Sequence, residues 1–178
     1  MNRSERTARI TKTAMLAAIS LVLVLLIRIP FPPAPYLEYD PADIPIFIGT
    51  FAFGPLYGII LTLIVSFVQA FILGGNGIIG FFMHVVSTGA FVLVAGHIYK
   101  RKKTRKMAVI ALICGAIVMT GSMLLWNVII TPKFLGVPRE AVIAMLFTVI
   151  LPFNLLKAGI NAFITFLTYK SISGFLHK

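Results

Sequence analysis

Acidic residues are scarce in this chain: five Asp and Glu stand against sixteen Lys and Arg in 178 residues. No carboxylate pair lies within its apolar stretches, which weighs against proton coupling inside a membrane. Cysteine is rarer still. Cys114 is alone, so no internal disulfide can form, and inside an apolar run it reads as a small core residue. No His, Cys, Asp and Glu cluster has metal-ligand spacing; His84 and His97 fall toward opposite ends of one apolar run. A Gly-x-x-x-x-Gly-Lys-Ser/Thr phosphate loop does not occur, which excludes ATP hydrolysis by that route. Nor does a nucleophile stand with a base, as a membrane enzyme would require.

What is abundant is apolar surface. Hydrophobic residues make up 59% of the chain, charged residues 12%, and mean hydropathy is +1.00. That composition belongs to an all-α integral membrane protein of one helical domain. Apolar runs occupy 14–29, 44–73, 78–99, 107–130 and 141–169. The first has no small-residue cleavage site after it and reads as a retained span. The net charge of +11 invites a nucleic-acid reading, but the basic residues cluster at the ends of the runs. That is the positive-inside pattern of a bilayer protein, not a nucleic-acid surface.

Charge also counts the crossings. Arg3, Arg6, Arg9 and Lys12 precede the first run, and Lys100, Arg101, Lys102, Lys103, Arg105 and Lys106 form the densest basic loop. Both belong in the cytoplasm, so an even number of crossings separates them. The long run 44–73 must therefore hold two helices, and Gly54-Pro55 is the natural break. The first piece would be only about 15 Å long, too short to span alone. Six transmembrane helices follow, near 8–29, 44–53, 56–73, 78–99, 107–130 and 153–172, with both termini cytoplasmic. Lys170 and Lys178 join the inner charges. Glu38, Asp40, Asp43 and Glu140 fall outside.

One residue breaks the apolar pattern. Lys157 lies within the last run, where an ionisable side chain costs a few kcal/mol or more and is usually functional. Asn154, three residues before it, and Asn161, four after, share its helix face. Such a stripe needs a partner, protein or ligand. Asn127, Asn154, Lys157, His84 and Gln69 all fall near the outer ends of their helices, which suggests a cavity open to the outside. His84 reads equally well as a packed core histidine, Gln69 and the Ser87/Thr88 pair as interhelical contacts, and Trp126 as part of the interfacial aromatic belt. Asn161 lies deeper and reads as structural. The outer loop 30–43 carries five prolines, which stiffen it, and its aromatic residues give it stacking surface. Over a cavity mouth it would act as a lid, with Tyr39 contributing stacking surface and Asp43 either facing the pocket or capping the next helix.

Four segments carry a resemblance: Tyr36-Leu37-Glu38-Tyr39-Asp40-Pro41-Ala42-Asp43-Ile44-Pro45, Phe53-Gly54-Pro55-Leu56-Tyr57-Gly58, Leu124-Leu125-Trp126-Asn127 with Thr131-Pro132, and Leu151-Pro152-Phe153-Asn154-Leu155-Leu156-Lys157. In order and along nearly the whole chain, they resemble the riboflavin-specific S components (RibU type) of energy-coupling factor (ECF) transporters. The resemblance implies the S-component fold in the cell membrane of a prokaryote. It implies a non-enzymatic subunit with no cofactor, whose transported ligand is riboflavin taken from the extracellular side. Its implied partners are a transmembrane coupling subunit and two cytoplasmic ATPases. Asn127, Asn154 and Lys157 match the family positions that hydrogen-bond the flavin. Ala14 and Ala18, a small-xxx-small pair on the first helix, resemble the motif that docks the coupling subunit. The competing readings are an S component for FMN or another vitamin, a small membrane enzyme, and a membrane scaffold without a ligand.

Overall fold

The computed structural model describes residues 3–177; Lys178, counted above among the inner charges, lies outside them. The element order is α1 (Arg3–Leu26), β1 (Ile29–Phe31), β2 (Ala34–Tyr39), α2 (Asp43–Phe53), α3 (Pro55–Phe71), α4 (Gly77–Arg101), α5 (Arg105–Leu135), α6 (Arg139–Met145), a π-helical turn (Leu146–Ile150) and α7 (Leu151–His177). The last three run on as one helix, so the described residues form six helical rods. Four are long and apolar enough to cross a bilayer: 5–26, 77–101, 105–135 and 139–171. The other two, α2 and α3, are shorter.

The short α2 is the centre of the bundle. Every residue from Asp43 to Ala52 is buried, packed against α1, α3, α4 and α7. Its Phe47 stacks on Phe91 of α4, with ring centroids 3.6 Å apart and planes 11° from parallel. Phe51 stacks on Tyr99, and Tyr169 meets both rings edge-on. A helix apolar all round is a core helix, which is why this one can be too short to reach both faces of a bilayer. The turn into α3 falls where expected. Gly54 adopts φ 99°, a conformation that costs glycine little, and Pro55 opens α3, where its missing N–H is no loss.

The outer helices are two-faced. On α1, Thr13, Leu16, Ala17, Ser20 and Val24 turn inward, while Ile19, Val22, Leu25 and Leu26 are exposed. The exposed apolar residues are the lipid side of a membrane helix.

Two departures from the sequence expectation concern local geometry. Residues 30–43, expected as an irregular loop in an all-α chain, contain a two-stranded antiparallel hairpin pairing Ile29 with Tyr39 and Pro30 with Glu38. Prolines favour extended backbone, and a two-stranded ribbon leaves room for a residue without an N–H. The hairpin packs Phe31, Ala34 and Leu37 against Val142, Ile150 and Phe153. The last helix was expected from about 153, but its rod begins at Arg139. A π turn precedes Pro152, and Leu151 N–H bonds the carbonyl of Leu146, five residues back. The wider turn accommodates a proline that lacks a donor and crowds the carbonyl four residues before it.

Close helix packing around α3 generates a test. A methyl group at Gly58 would collide with the Thr50 and Val92 side chains, whereas one at Gly121 would meet nothing within 4 Å. Gly58→Ala should lower the thermal midpoint in detergent, by an overpacking cost of about 1–3 kcal/mol. Gly121→Ala should leave it unchanged or raise it. Equal midpoints for the two variants would contradict this packing.

Candidate functional site

The hairpin, α3, α4, α5 and α7 surround a cavity of about 140 Å³ that is open on one side. Asn127, Asn154, Lys157, Gln69 and His84 all line it. Five residues from four helices, grouped in the sequence by their depth near the outer helix ends, are thus brought to one space. Two expected residues, Tyr39 and Asp43, are not on its wall. They stand just behind it, in a buried polar network. The two alanines, Ala14 and Ala18, lie elsewhere, exposed on the outer face of α1.

The partner that Lys157 needs is a carboxylate of the chain itself. Its Nζ lies 2.8 Å from Asp40 Oδ2, with the two side chains 12% and 3% exposed. It also reaches the Glu38 carbonyl at 3.5 Å. Asp40 is the end of the hairpin strand continued, so this pair ties the hairpin to α7. Gln69 Nε2 donates to the same Oδ2 at 3.3 Å, and Ala42 N–H donates to Oδ1 at 3.1 Å. Two donated bonds and one ion pair meet the main requirement of a buried charge.

Asp43, fully buried at the start of α2, forms the second node. Its Oδ1 accepts from Thr88 Oγ1 at 2.8 Å and lies 3.2 Å from His84 Nε2. Its Oδ2 accepts from Asn161 Nδ2 at 3.4 Å. His84 Nδ1 is 2.7 Å from Ser66 Oγ. The consistent assignment has His84 donating from Nε2 to the carboxylate and accepting from the serine hydroxyl at Nδ1. The helix dipole at the α2 N-terminus adds to the stabilisation of this anion. Asn161 joins the two nodes: its Nδ2 also reaches the Asp40 carbonyl at 3.2 Å, and its Oδ1 accepts from the Tyr39 hydroxyl at 3.1 Å. Burial, with the nearby Asp40 charge adding to it, raises the Tyr39 pKa, so it stays a neutral donor. Burial likewise raises that of Tyr36.

The cavity wall proper is less saturated. Asn127 Nδ2 donates to the Met123 carbonyl and its Oδ1 accepts from Thr131, both at 2.8 Å. Asn154 Nδ2 donates to the Ile150 carbonyl at 2.8 Å. Each amide has two N–H groups, so each keeps a donor to spare. Among the residues that line the cavity, Tyr36 and Gln69 each keep one buried polar atom, the hydroxyl and Oε1, without a partner among the described residues. Phe134 and Phe153 supply aromatic faces, and Met83, Met119 and Met123 supply adaptable ones. The site offers hydrogen bonds and stacking. It holds no metal-capable cluster among the described residues.

Sequence reasoning missed Asp40 and assigned it to the outer surface with the other loop acids. A signal existed: in a chain with five acids, a lysine in a span has few possible counter-ions. Asn161, expected to be structural, does tie the hairpin to the core. Ser66 and Tyr36 carried no periodic signal, because serine and tyrosine are ordinary in such positions.

Residues 8–169 match the family described as ECF transporter, substrate-specific component. The riboflavin transporter RibU of Staphylococcus aureus (strain TCH60) is 32% identical, over 98% of this chain and 95% of its own. The riboflavin transporter FmnP of Bacillus subtilis (strain 168) is 32% identical over 85% of both chains. A solved structure, reported as the S component of a bacterial ECF transporter, superposes with TM-score 0.84 at 30% identity, covering 97% of this chain and 99% of that one. This chain belongs to the substrate-specific components of ECF transporters. It is a multi-pass membrane transport subunit without a catalytic role, and it works with a coupling subunit and ATPases.

The Asp40–Lys157 pair generates the second test. Removing one partner strands a buried charge. Asp40→Asn or Lys157→Met alone should therefore cost roughly 3–5 kcal/mol of stability, and the double variant should recover much of that loss. Chemical unfolding in detergent reads the cycle. Additive losses would show that the two residues do not act on each other.

Proposed function

We propose that this substrate-specific component binds riboflavin in the cavity beneath the hairpin and, with its coupling subunit and two ATPases, delivers it to the cytoplasm. The observation that carries this reading is the incomplete hydrogen bonding of the cavity wall. A buried hydroxyl and a buried amide oxygen lack partners, and an unmet buried polar group costs about 1–3 kcal/mol. A ligand rich in hydroxyls relieves that cost, and riboflavin has a ribityl chain with four. Its ring presents carbonyl acceptors and an imide donor, which suit the spare amide donors of Asn127 and Asn154 and the ammonium of Lys157. Its flat face suits the aromatic rings of the wall. Two relatives at 32% identity bear the name riboflavin transporter.

The charge of the wall favours the uncharged vitamin over FMN. Glu38 and Asp40 line the cavity, and Lys157 is committed to Asp40. Glu38 is paired with Arg28 in the same way, so the wall offers a phosphate no free cation among the described residues. The exposed Ala14/Ala18 face of α1 supports the coupling role, since small residues let a partner helix approach closely. The positive-inside reading orients the cavity mouth outward and both termini inward.

Trp126, the single tryptophan, sits beside Asn127 and reports occupancy. Riboflavin should quench its emission saturably. Asn127→Ala, Asn154→Ala and Lys157→Ala should each weaken binding by roughly tenfold or more, since each leaves a polar group of the ligand unpaired. FMN should compete less well than riboflavin. No saturable quenching by folded, ligand-free protein would remove riboflavin. Separately, Ala18→Phe should leave the titration unchanged and abolish uptake in cells that depend on this transporter; normal uptake would remove this face from coupling.

A further inference from the structure

At the end of the bundle away from the hairpin, two clefts flank one aromatic pair. The first is lined by Arg9, Lys100 and Lys103 together with Phe51, Phe53 and Tyr57. The second is lined by Lys103, Arg105 and Lys170 together with Phe51, Phe166 and Tyr169. They share Phe51, Tyr99 and Lys103. Five basic residues converge there from α1, α4, α5, α7 and the 102–104 loop. Among the described residues, no carboxylate lines either cleft.

We propose that these clefts bind the phosphate of an anionic phospholipid, with its acyl chains running along the apolar bundle surface. Position separates this from a diffuse inner charge. Arg9 continues the inward-facing stripe of α1, one turn before buried Thr13, whose hydroxyl bonds the Arg9 carbonyl. The Arg9 side chain is exposed and stands at the rim of the first cleft, on the side where Lys100 and Lys103 also line it. The floor is aromatic, and Leu56 beside it is 69% exposed. An apolar, exposed flank beside a cationic cleft suits a lipid headgroup better than free phosphate, because headgroup and chain bind together. The cleft also lies away from the alanine face of α1. Arg9 is about 140° around the helix from Ala14 and about 180° from Ala18, so a partner on the alanines leaves it open. Lys103 between two clefts favours a lipid with two phosphates over one.

Native mass spectrometry of the full chain in detergent tests this, with cardiolipin, phosphatidylglycerol, phosphatidylcholine or inorganic phosphate added. Cardiolipin should be retained most and phosphatidylglycerol next. The triple variant Arg9→Gln, Lys100→Gln, Lys103→Gln should lose retention by roughly tenfold or more, as three lost surface cations imply. A control of equal charge, Arg6→Gln, Lys102→Gln, Lys106→Gln, should retain it. Equal loss in both variants would reduce the site to diffuse charge and overturn the proposal. Phosphatidylcholine bound as well as the anionic lipids would also overturn it, as would inorganic phosphate displacing them at equal concentration. Riboflavin quenching, measured on the same variants, should not change.

Discussion

The fold depends on two carboxylates buried in a protein that has almost none. Asp40 and Asp43 lie within four residues of each other, at the junction between the hairpin and α2. Asp40 holds Lys157 of α7 at 2.8 Å and receives Gln69 of α3. Asp43 receives Thr88 and faces His84, both of α4. Asn161 spans the two. Five elements thus meet on one short segment. In an apolar bundle, van der Waals packing alone says little about register, because one leucine face fits another almost as well. Charged and amide groups are different. Each has a costly alternative if displaced, so they fix which turn of each helix lies at which depth.

The same network makes the site possible. It forms the floor of the cavity and anchors the hairpin that roofs it. The wall above is left with spare donors and unpaired atoms, which the proposed ligand would engage. Stability and binding are thus divided between neighbouring residues. Asn161 and Asp43 are spent on structure; Asn127 and Asn154 are half-spent; Tyr36 and Gln69 have an atom in reserve. Lys157 belongs to both groups. It pairs with Asp40 and also lines the cavity, so a ligand that reaches it touches the anchor of the hairpin directly.

Much of this was legible in the sequence because membranes impose strong patterns. Length and charge parity yield six helices, and Gly54-Pro55 divides a run that hydropathy alone would leave whole. Their shared depth near the outer helix ends grouped Asn127, Asn154, Lys157, Gln69 and His84, and all five line one cavity. The hairpin was not legible: it is short, proline-rich and without alternation, and its strands are stabilised by packing on Phe153 and Val142 rather than by propensity. The start of the last helix was misplaced because proline disfavours a helix interior, and only the π turn before Pro152 lets the helix pass. Asp40 was missed because a loop acid beside a proline reads as solvent-facing. Its burial comes from Lys157, 117 residues away, and single-sequence patterns do not report contacts at that distance.

A structure determined with riboflavin bound is the most direct measurement of this account. It should show the flavin between the hairpin and helices α3, α4, α5 and α7, within hydrogen-bond distance of Asn127, Asn154 and Lys157, with the Tyr36 hydroxyl and Gln69 Oε1 newly partnered. A flavin bound outside this cavity, or inside it with those two atoms still unpaired and Lys157 out of reach, would contradict it.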